Sequence, residues 1–255
     1  MDNVIQNIQD KLTEMERVHD CRILFAIESG SRAWGFASQD SDYDVRCVYY
    51  HPVEKYLSIN SMRDVIEWEL NEVYDINGWD IRKALQLATR SNITIFEWAY
   101  SPVIYRTSRL HEEFCAVISS VLQPELLASR YVGMAESTYK RYLTMAEPPV
   151  KQYFYAIRPL LAARWVLGSG KAAPVPFEEL RHLLPPDMEE EINTLLELRR
   201  DHTEKARVAL RPKALEYICR EMQSLHCVLE RFTRKAELPT AELDDFFRRV
   251  VTAEA

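Results

Sequence analysis

Glycine is scarce in this chain, at six of 255 residues, and no segment is of low complexity or repeated elsewhere. That scarcity argues against long disordered linkers. Cysteine is also sparse: Cys21, Cys47, Cys115, Cys219 and Cys227 are scattered, odd in number and never in a CxxC pair. A zinc site or a disulfide framework would need closer or paired spacing, so reduced thiols in a cytoplasmic protein are expected. The six histidines form no HxH or HxxxH pair, which removes the usual imidazole metal sites. No apolar run approaches the roughly 20 residues that cross a bilayer. The first residues, MDNVIQNIQDKLTEMERVHD, carry acids and bases throughout where a signal peptide would be apolar. A membrane partner is therefore not expected. Positive charge is in deficit, the net charge being -7. This speaks against binding nucleic acid through the whole surface, while leaving room for a local basic groove.

What is present is the mixture of a globular chain, 47% hydrophobic and 28% charged, long enough for one large domain or two small ones. Val4, Ile5, Ile8, Leu12, Met15 and Val18 recur at helical spacing and predict an amphipathic helix over 3–18. Arg22–Ile27 is a short apolar run suited to a buried strand, and it ends at Glu28-Ser29-Gly30-Ser31, where glycine permits a sharp turn. A short helix over 32–37 and a turn at Asp40-Ser41-Asp42 follow, then the β-branched and aromatic strand Tyr43–Tyr50. Two further strands are expected at 64–70 and 72–76, with Asn77-Gly78 separating the second from a helix at 79–89. Beyond about residue 107 strand signals fade. Stretches such as 151–167 and 188–233 read as helices punctuated by Pro148-Pro149, Pro174, Pro176 and Pro185-Pro186. The expectation is an α+β protein, with a small mixed-sheet domain over 1–125 and an α-helical domain over 126–255.

The segment that carries chemistry runs from Gly30 to Val45. Asp42 and Asp44 are two apart at the start of a strand, so both side chains project to one face. Two carboxylates on one face repel each other, and a divalent cation such as magnesium resolves the repulsion with one or two protein ligands plus substrate phosphates. Gly30-Ser31 lies between a strand and a short helix, where backbone N–H groups and the serine hydroxyl can hold a phosphate. A phosphate cradle beside an acid pair points to metal-assisted phosphoryl chemistry. Asp-x-Asp by itself most often marks a turn, a cap or a solvated acid, and the spacing to Gly30-Ser31 lifts this pair above that background.

With these residues in view, the segment resembles the DNA polymerase β-type nucleotidyltransferase superfamily, whose signature is a Gly-Ser or Gly-Gly turn followed about a dozen residues later by acid-x-acid. More narrowly, GSRAWGFASQDSDYDVRCVY is similar to the RNA-ligase-associated (RlaP or YcgL-like) family of nucleotidyltransferases. Gly78–Lys83, Asn92, Glu97-Trp98, Ser101-Pro102 and Tyr153–Trp165 agree with it, so the resemblance spans about 28 to 165. It implies a third carboxylate on a neighbouring strand. Asp75, flanked by apolar residues, is preferred to Asp80, which lies past Asn77-Gly78 at the start of a helix. It also implies two magnesium ions, replaceable by manganese, held by Asp42 and Asp44 with Asp75 sharing one. The implied reaction is transfer of a nucleoside monophosphate, AMP from ATP first among them, to an acceptor hydroxyl on RNA, protein or a small molecule.

A triphosphate calls for further positive charge. Arg32 follows the Gly-Ser turn, and Lys151, Tyr155 and Arg158 fall at i, i+4 and i+7 on one predicted helix face, from which they could meet phosphates and base. Tyr139, Tyr142 and Tyr153 add aromatic surface for stacking. A solvated helix face is the plain alternative for Lys151 and Arg158, as it is for Arg82-Lys83. Glu97 and Trp98 are expected to serve packing. Two other functional classes stay open: a catalytically silent nucleotide-binding module, against which the intact Asp42 and Asp44 count, and a helical interaction protein of antitoxin type.

Overall fold

In a computed structural model describing residues 2–38, 41–71, 73–201, 206–232 and 240–252, the N-terminal stripe folds as α1 (Asp2–His19). Ile8, Leu12 and Met15 are fully buried, worth about 1.5–3 kcal/mol each in apolar transfer, whereas Ile5 and Val18 of the same stripe face outward. β1 (Arg22–Glu28), α2 (Gly30–Trp34), β2 (Tyr43–Tyr50) and α3 (Val53–Tyr56) come next. They are followed by β3 (Val65–Leu70), β4 (Tyr74–Asp80), α4 (Ile81–Ala88), α5 (Ile93–Ala99), β5 (Ile104–Arg106) and α6 (Arg109–Ser120). The five strands form one mixed sheet in the order β3-β4-β2-β1-β5, with β2 and β4 parallel and the other neighbours antiparallel.

Strand alternation sorts the side chains of this sheet. Val45, Cys47 and Tyr49 of β2 and Tyr74 and Ile76 of β4 pack with the α1 stripe in one apolar cluster. Their neighbours in sequence, Asp44, Arg46, Asp75 and Trp79, must therefore point to the opposite face. There Trp79 packs on Trp98 of α5 with ring centroids 4.0 Å apart, and Phe25 of β1 contacts His111 and Phe114 of α6. Trp98 is 2% exposed, as the packing expectation for it required.

The chain divides into two compact units, and the division is not a single cut. The first comprises residues 1–33, 42–122 and 237–255; the second comprises 34–41 and 123–236. A boundary near 125 thus needs two corrections. The C-terminal helix α12 (Ala241–Thr252) returns to the first unit, where Phe246 packs on Phe114 and Arg249 pairs with Glu113. The short segment from Trp34 to Ser41 belongs to the second. That unit contains α7 (Pro124–Thr138), continued by a π-helical turn at Tyr139–Leu143, then α8 (Val150–Ser169), α9 (Phe177–Leu180), α10 (Glu189–Asp201) and α11 (Pro212–Leu229). α8 is buried on every side, consistent with a helix apolar all round. The single helix expected over 188–233 is two, with 202–205 and 233 outside the described residues. Asp40 and Glu72, placed by sequence in a turn and a strand, also lie outside them, as does Gln39.

Asn77-Gly78 is not a turn but the middle of β4, which runs on to Asp80. The physical reason is close packing on the α1 side: a Cβ at Gly78 would stand 2.6 Å from Cys47 Sγ and 3.0 Å from Tyr49 Cδ1. Glycine is there because the neighbouring strand's side chains fill the place of its own. β5 and α5 lay outside the sequence expectation; β5 is too short, at three residues, for any alternation to register. Gly78→Ala is expected to destabilise the protein by about 1–3 kcal/mol through overpacking, read as a lowered urea midpoint with an unchanged slope.

Candidate active site

β2 and β4 set the centre of the site. Asp44 and Asp75 are Cα partners in the parallel register, so their carboxylates leave neighbouring strands about 4.8 Å apart on the same face. Arg46, two residues after Asp44 and hence on that face, stands between them. Its Nη2 donates to Asp44 Oδ1 at 2.8 Å and to Asp75 Oδ2 at 2.6 Å. Its Nη1 donates to the carbonyls of Asp75 at 2.6 Å and Val45 at 3.1 Å. Arg46 is only 14% exposed and the two carboxylates about a quarter exposed, so the triad is partly shielded from water. Charge-assisted bonds of this length are the strong ones.

The turn after β1 closes on the same carboxylate. The Ser29 N–H donates to the Asp44 carbonyl at 2.8 Å, and the Asp44 N–H donates to Glu28 Oε1 at 2.9 Å. The Tyr105 hydroxyl donates to the other Glu28 oxygen. Burial at 1% exposure pushes the Glu28 carboxyl up to about 7, against the pull of these two hydrogen bonds. Gly30 has φ +64°, and a Cβ there would lie 2.4 Å from Asp44 Oδ2. The position is thus closed to other residues twice over, by conformation and by the carboxylate in contact with it. Ser31 is buried within α2. Arg32 Nε donates to the Asp42 carbonyl at 2.9 Å, and its guanidinium lies 4.0 Å from the Tyr43 ring centre. Asp42 precedes the strand and is exposed, its carboxylate unpaired among the described residues.

The first unit therefore gathers Glu28, Gly30, Asp44, Arg46 and Asp75 around one point, with Arg32 and Asp42 beside it. Lys151, Tyr155 and Arg158 belong to the second unit. Arg158 requires a correction. It is fully buried, its Nε donates to the Val175 carbonyl at 3.0 Å, and its guanidinium lies 4.4 Å from the Trp34 ring centre. Its charge is spent inside that unit rather than on a face offered to phosphate. Tyr155 packs on Trp34 at 4.8 Å between centroids, and Lys151 is half-buried. Tyr153, expected as stacking surface, is fully buried and accepts from the Arg211 N–H.

Asp80 is 2% exposed and caps α4: its Oδ1 accepts from the Arg82 N–H at 2.8 Å and its Oδ2 from the Tyr56 hydroxyl at 2.7 Å. Of the two acids considered for a third carboxylate, Asp75 is the one facing Asp44. Arg46 and Glu28 were not singled out from sequence. For Arg46 the signal was available, since 42, 44 and 46 alternate together; for Glu28 the informative partner, Tyr105, is 77 residues away. Among the described residues, no three His, Cys, Asp or Glu side chains are grouped to hold a metal ion.

Gly30→Ala should destabilise the protein by about 1–3 kcal/mol, the range for a strained left-handed residue, with Asp44 displaced. Chemical denaturation gives the first quantity. Retention of wild-type stability would show that the turn and carboxylate do not touch.

The chain is 40% identical over 198 residues to the uncharacterized protein YcgL of Bacillus subtilis (strain 168), a match covering 76% of each chain. It also aligns with the crystal structure of a nucleotidyltransferase-like protein from Exiguobacterium sibiricum 255-15, at 12% identity and a TM-score of 0.33, covering 99% of this chain and 80% of that one. The assignment rests on the sequence matches. A family model described as the RNA repair pathway DNA polymerase beta family (RlaP) matches residues 4–249, nearly the full length. The strand-borne acids and the glycine turn against them thus sit within a match that extends across both units, and the chain belongs to the RNA repair pathway DNA polymerase beta family.

Proposed function

We propose that this protein is a magnesium-dependent nucleotidyltransferase that moves a nucleoside monophosphate, AMP from ATP foremost, to an acceptor hydroxyl, with RNA as the favoured acceptor. The observation that carries the reading is the convergence of Asp44 and Asp75 on one cation, the Arg46 guanidinium. Two carboxylates that already share a cation have the spacing and chemistry to share a metal, which draws its other ligands from phosphates and water. Asp42, exposed and unpaired among the described residues, would supply a further oxygen. When bound, magnesium or manganese supplies charge neutralisation at the α-phosphorus and the leaving pyrophosphate. The family description supports RNA as acceptor.

The chain's own residues do the rest. Gly30 lets the turn backbone lie against Asp44, so phosphate oxygens entering at Ser31 would meet the carboxylate-held cation. Glu28 fixes the start of β2 through the Asp44 N–H. Arg46, released from one carboxylate, would present its donors to a phosphate. The acceptor oxygen forms a bond to the α-phosphorus, the bond to the bridging oxygen breaks, and pyrophosphate leaves. The acceptor's proton passes to a carboxylate of the site or to water. Arg46 also favours a second reading, a silent nucleotide-binding module, because its guanidinium already neutralises the acids.

Incubation with each α-labelled nucleoside triphosphate, magnesium and RNA or cell-extract acceptors separates these readings. Transfer by the wild type, lost in the Asp42→Asn/Asp44→Asn double variant, is the expected result. Nucleotide binding without transfer to any acceptor would favour the silent module. Independently, Arg46→Leu should melt at a lower temperature than wild type without divalent ions, and magnesium should raise its melting temperature more than that of wild type. Equal responses would count against a metal at Asp44 and Asp75.

A further inference from the structure

At the other end of the sheet, residues 55–64 and 80–86 line an open cleft of about 370 Å³. Asp80, in its wall, lies five residues along β4 from Asp75, a strand distance of about 17 Å. Lys55, Met62 and Arg63 also line a second depression of about 290 Å³ that reaches His19 and His51. Four cations line the first cleft, and they are not equivalent. Lys55 is tied to Asp20 at 3.0 Å and to the His19 and Asp20 carbonyls at 2.9 Å; Lys83 is tied to Asp64 at 3.0 Å. Arg63 and Arg82 are both exposed, and among the described residues neither has a carboxylate within salt-bridge distance. Arg82 is nonetheless held in place, its guanidinium 4.9 Å from the Tyr56 ring centre and 5.2 Å from that of Phe247. Aromatic rings steady the cation without consuming its hydrogen-bond donors. Asp80, the nearest buried acid, has both oxygens occupied by the Tyr56 hydroxyl and the Arg82 N–H.

We infer that this cleft binds the phosphodiester backbone of a single-stranded polynucleotide, with Arg63 and Arg82 on successive phosphates and Ser58, Asn60 and Ser61 as neutral donors. A pre-positioned arginine with unused donors suits phosphate oxygens. A mononucleotide site would enclose most of its ligand, whereas here the lining residues 58–61 are themselves exposed and the two depressions share Lys55, Met62 and Arg63 as walls. With a net charge of -7, a polyanion is bound through a local patch of this kind or not at all. Binding here does not depend on transfer chemistry at Asp44. Its link to the acceptor rests on the proposed function, for which it would hold an RNA strand beyond the Asp80 end of β4, away from the reacting acids.

The test is fluorescence anisotropy of a short labelled single-stranded RNA on the full chain, between about 50 and 200 mM salt. Wild type should bind with affinity falling steeply as salt rises. Arg63→Ala/Arg82→Ala should bind more weakly at every salt concentration, with the log–log slope reduced by about 1.4, two single-strand phosphate contacts. Arg82→Lys should keep most of that slope, and Arg63→Ala alone, at an exposed position with no ion pair among the described residues, reports on binding without a folding defect. Asp44→Asn/Asp75→Asn should bind RNA as wild type does, whatever happens to transfer. No RNA binding by wild type, an unchanged slope in the double arginine variant, or loss of binding in the aspartate variant would overturn the inference. Displacement of the RNA by millimolar inorganic phosphate would do so too, in favour of a single-phosphate ligand.

Discussion

Two carboxylates placed side by side on parallel strands are an electrostatic problem before they are a site, and the bridge from Arg46 to Asp44 and Asp75 is the structure's answer to it. The parallel pairing of β2 with β4 forces the encounter, because register brings the two aspartates opposite each other. Neither can retreat into the core, since the other face of both strands is filled by the α1 cluster. Partial shielding strengthens the attraction relative to a surface pair and makes an uncompensated charge there costly. The site is therefore one in which some cation is always needed, and the protein carries its own.

Around that bridge the supporting contacts have one purpose, to hold Asp44 by its backbone and leave its carboxylate oriented. Glu28 takes the Asp44 N–H, Ser29 donates to its carbonyl, and Gly30 gives up a side chain so that the carboxylate fits against the turn. Tyr105, on the far edge strand, anchors Glu28 in turn. A left-handed turn that only glycine accommodates without strain and a buried carboxyl at Glu28 are both demanding features. Their concentration within a few residues of one aspartate is the pattern expected where geometry is maintained for function at the expense of stability.

Much of this was legible in the sequence where the cause is local. β1 and β2 announce themselves by composition; the i, i+2 rule was applied to Asp42 and Asp44, but β2 begins at Tyr43, so it reaches Asp44 and Arg46 and leaves Asp42 before the strand. Asp75 over Asp80 followed from the apolar-acid-apolar setting that the resemblance implies and from the preference of helix starts for an acid, and Asp80 does cap α4. What was not legible depends on distant partners. Asn77-Gly78 carries a turn signal, but packing against Cys47 and Tyr49 overrides it. Arg158 shares a helix face with Lys151 in projection, yet Trp34 and the carbonyls near residue 175 claim its guanidinium. The destination of α12 depends on Phe114 and Glu113, more than a hundred residues earlier.

The interleaving of the two units has a practical consequence for anyone wishing to take the protein apart. The chain passes between them at 33/34, 41/42, 122/123 and 236/237. The first of these passages falls inside the very motif that carries the glycine turn and the acids. A fragment ending near 125 would keep every acid of the site but leave Phe114 without Phe246 and Glu113 without Arg249. It would also carry Trp34 and Phe36 stripped of Phe154, Tyr155 and Phe177, the rings they pack against. Such a fragment exposes apolar surface at both ends of the cut and is prone to aggregate. Dissection by truncation would then report on solubility rather than on chemistry, and heredity faces the same constraint: recombination at these borders cannot trade one unit for another as a single cassette.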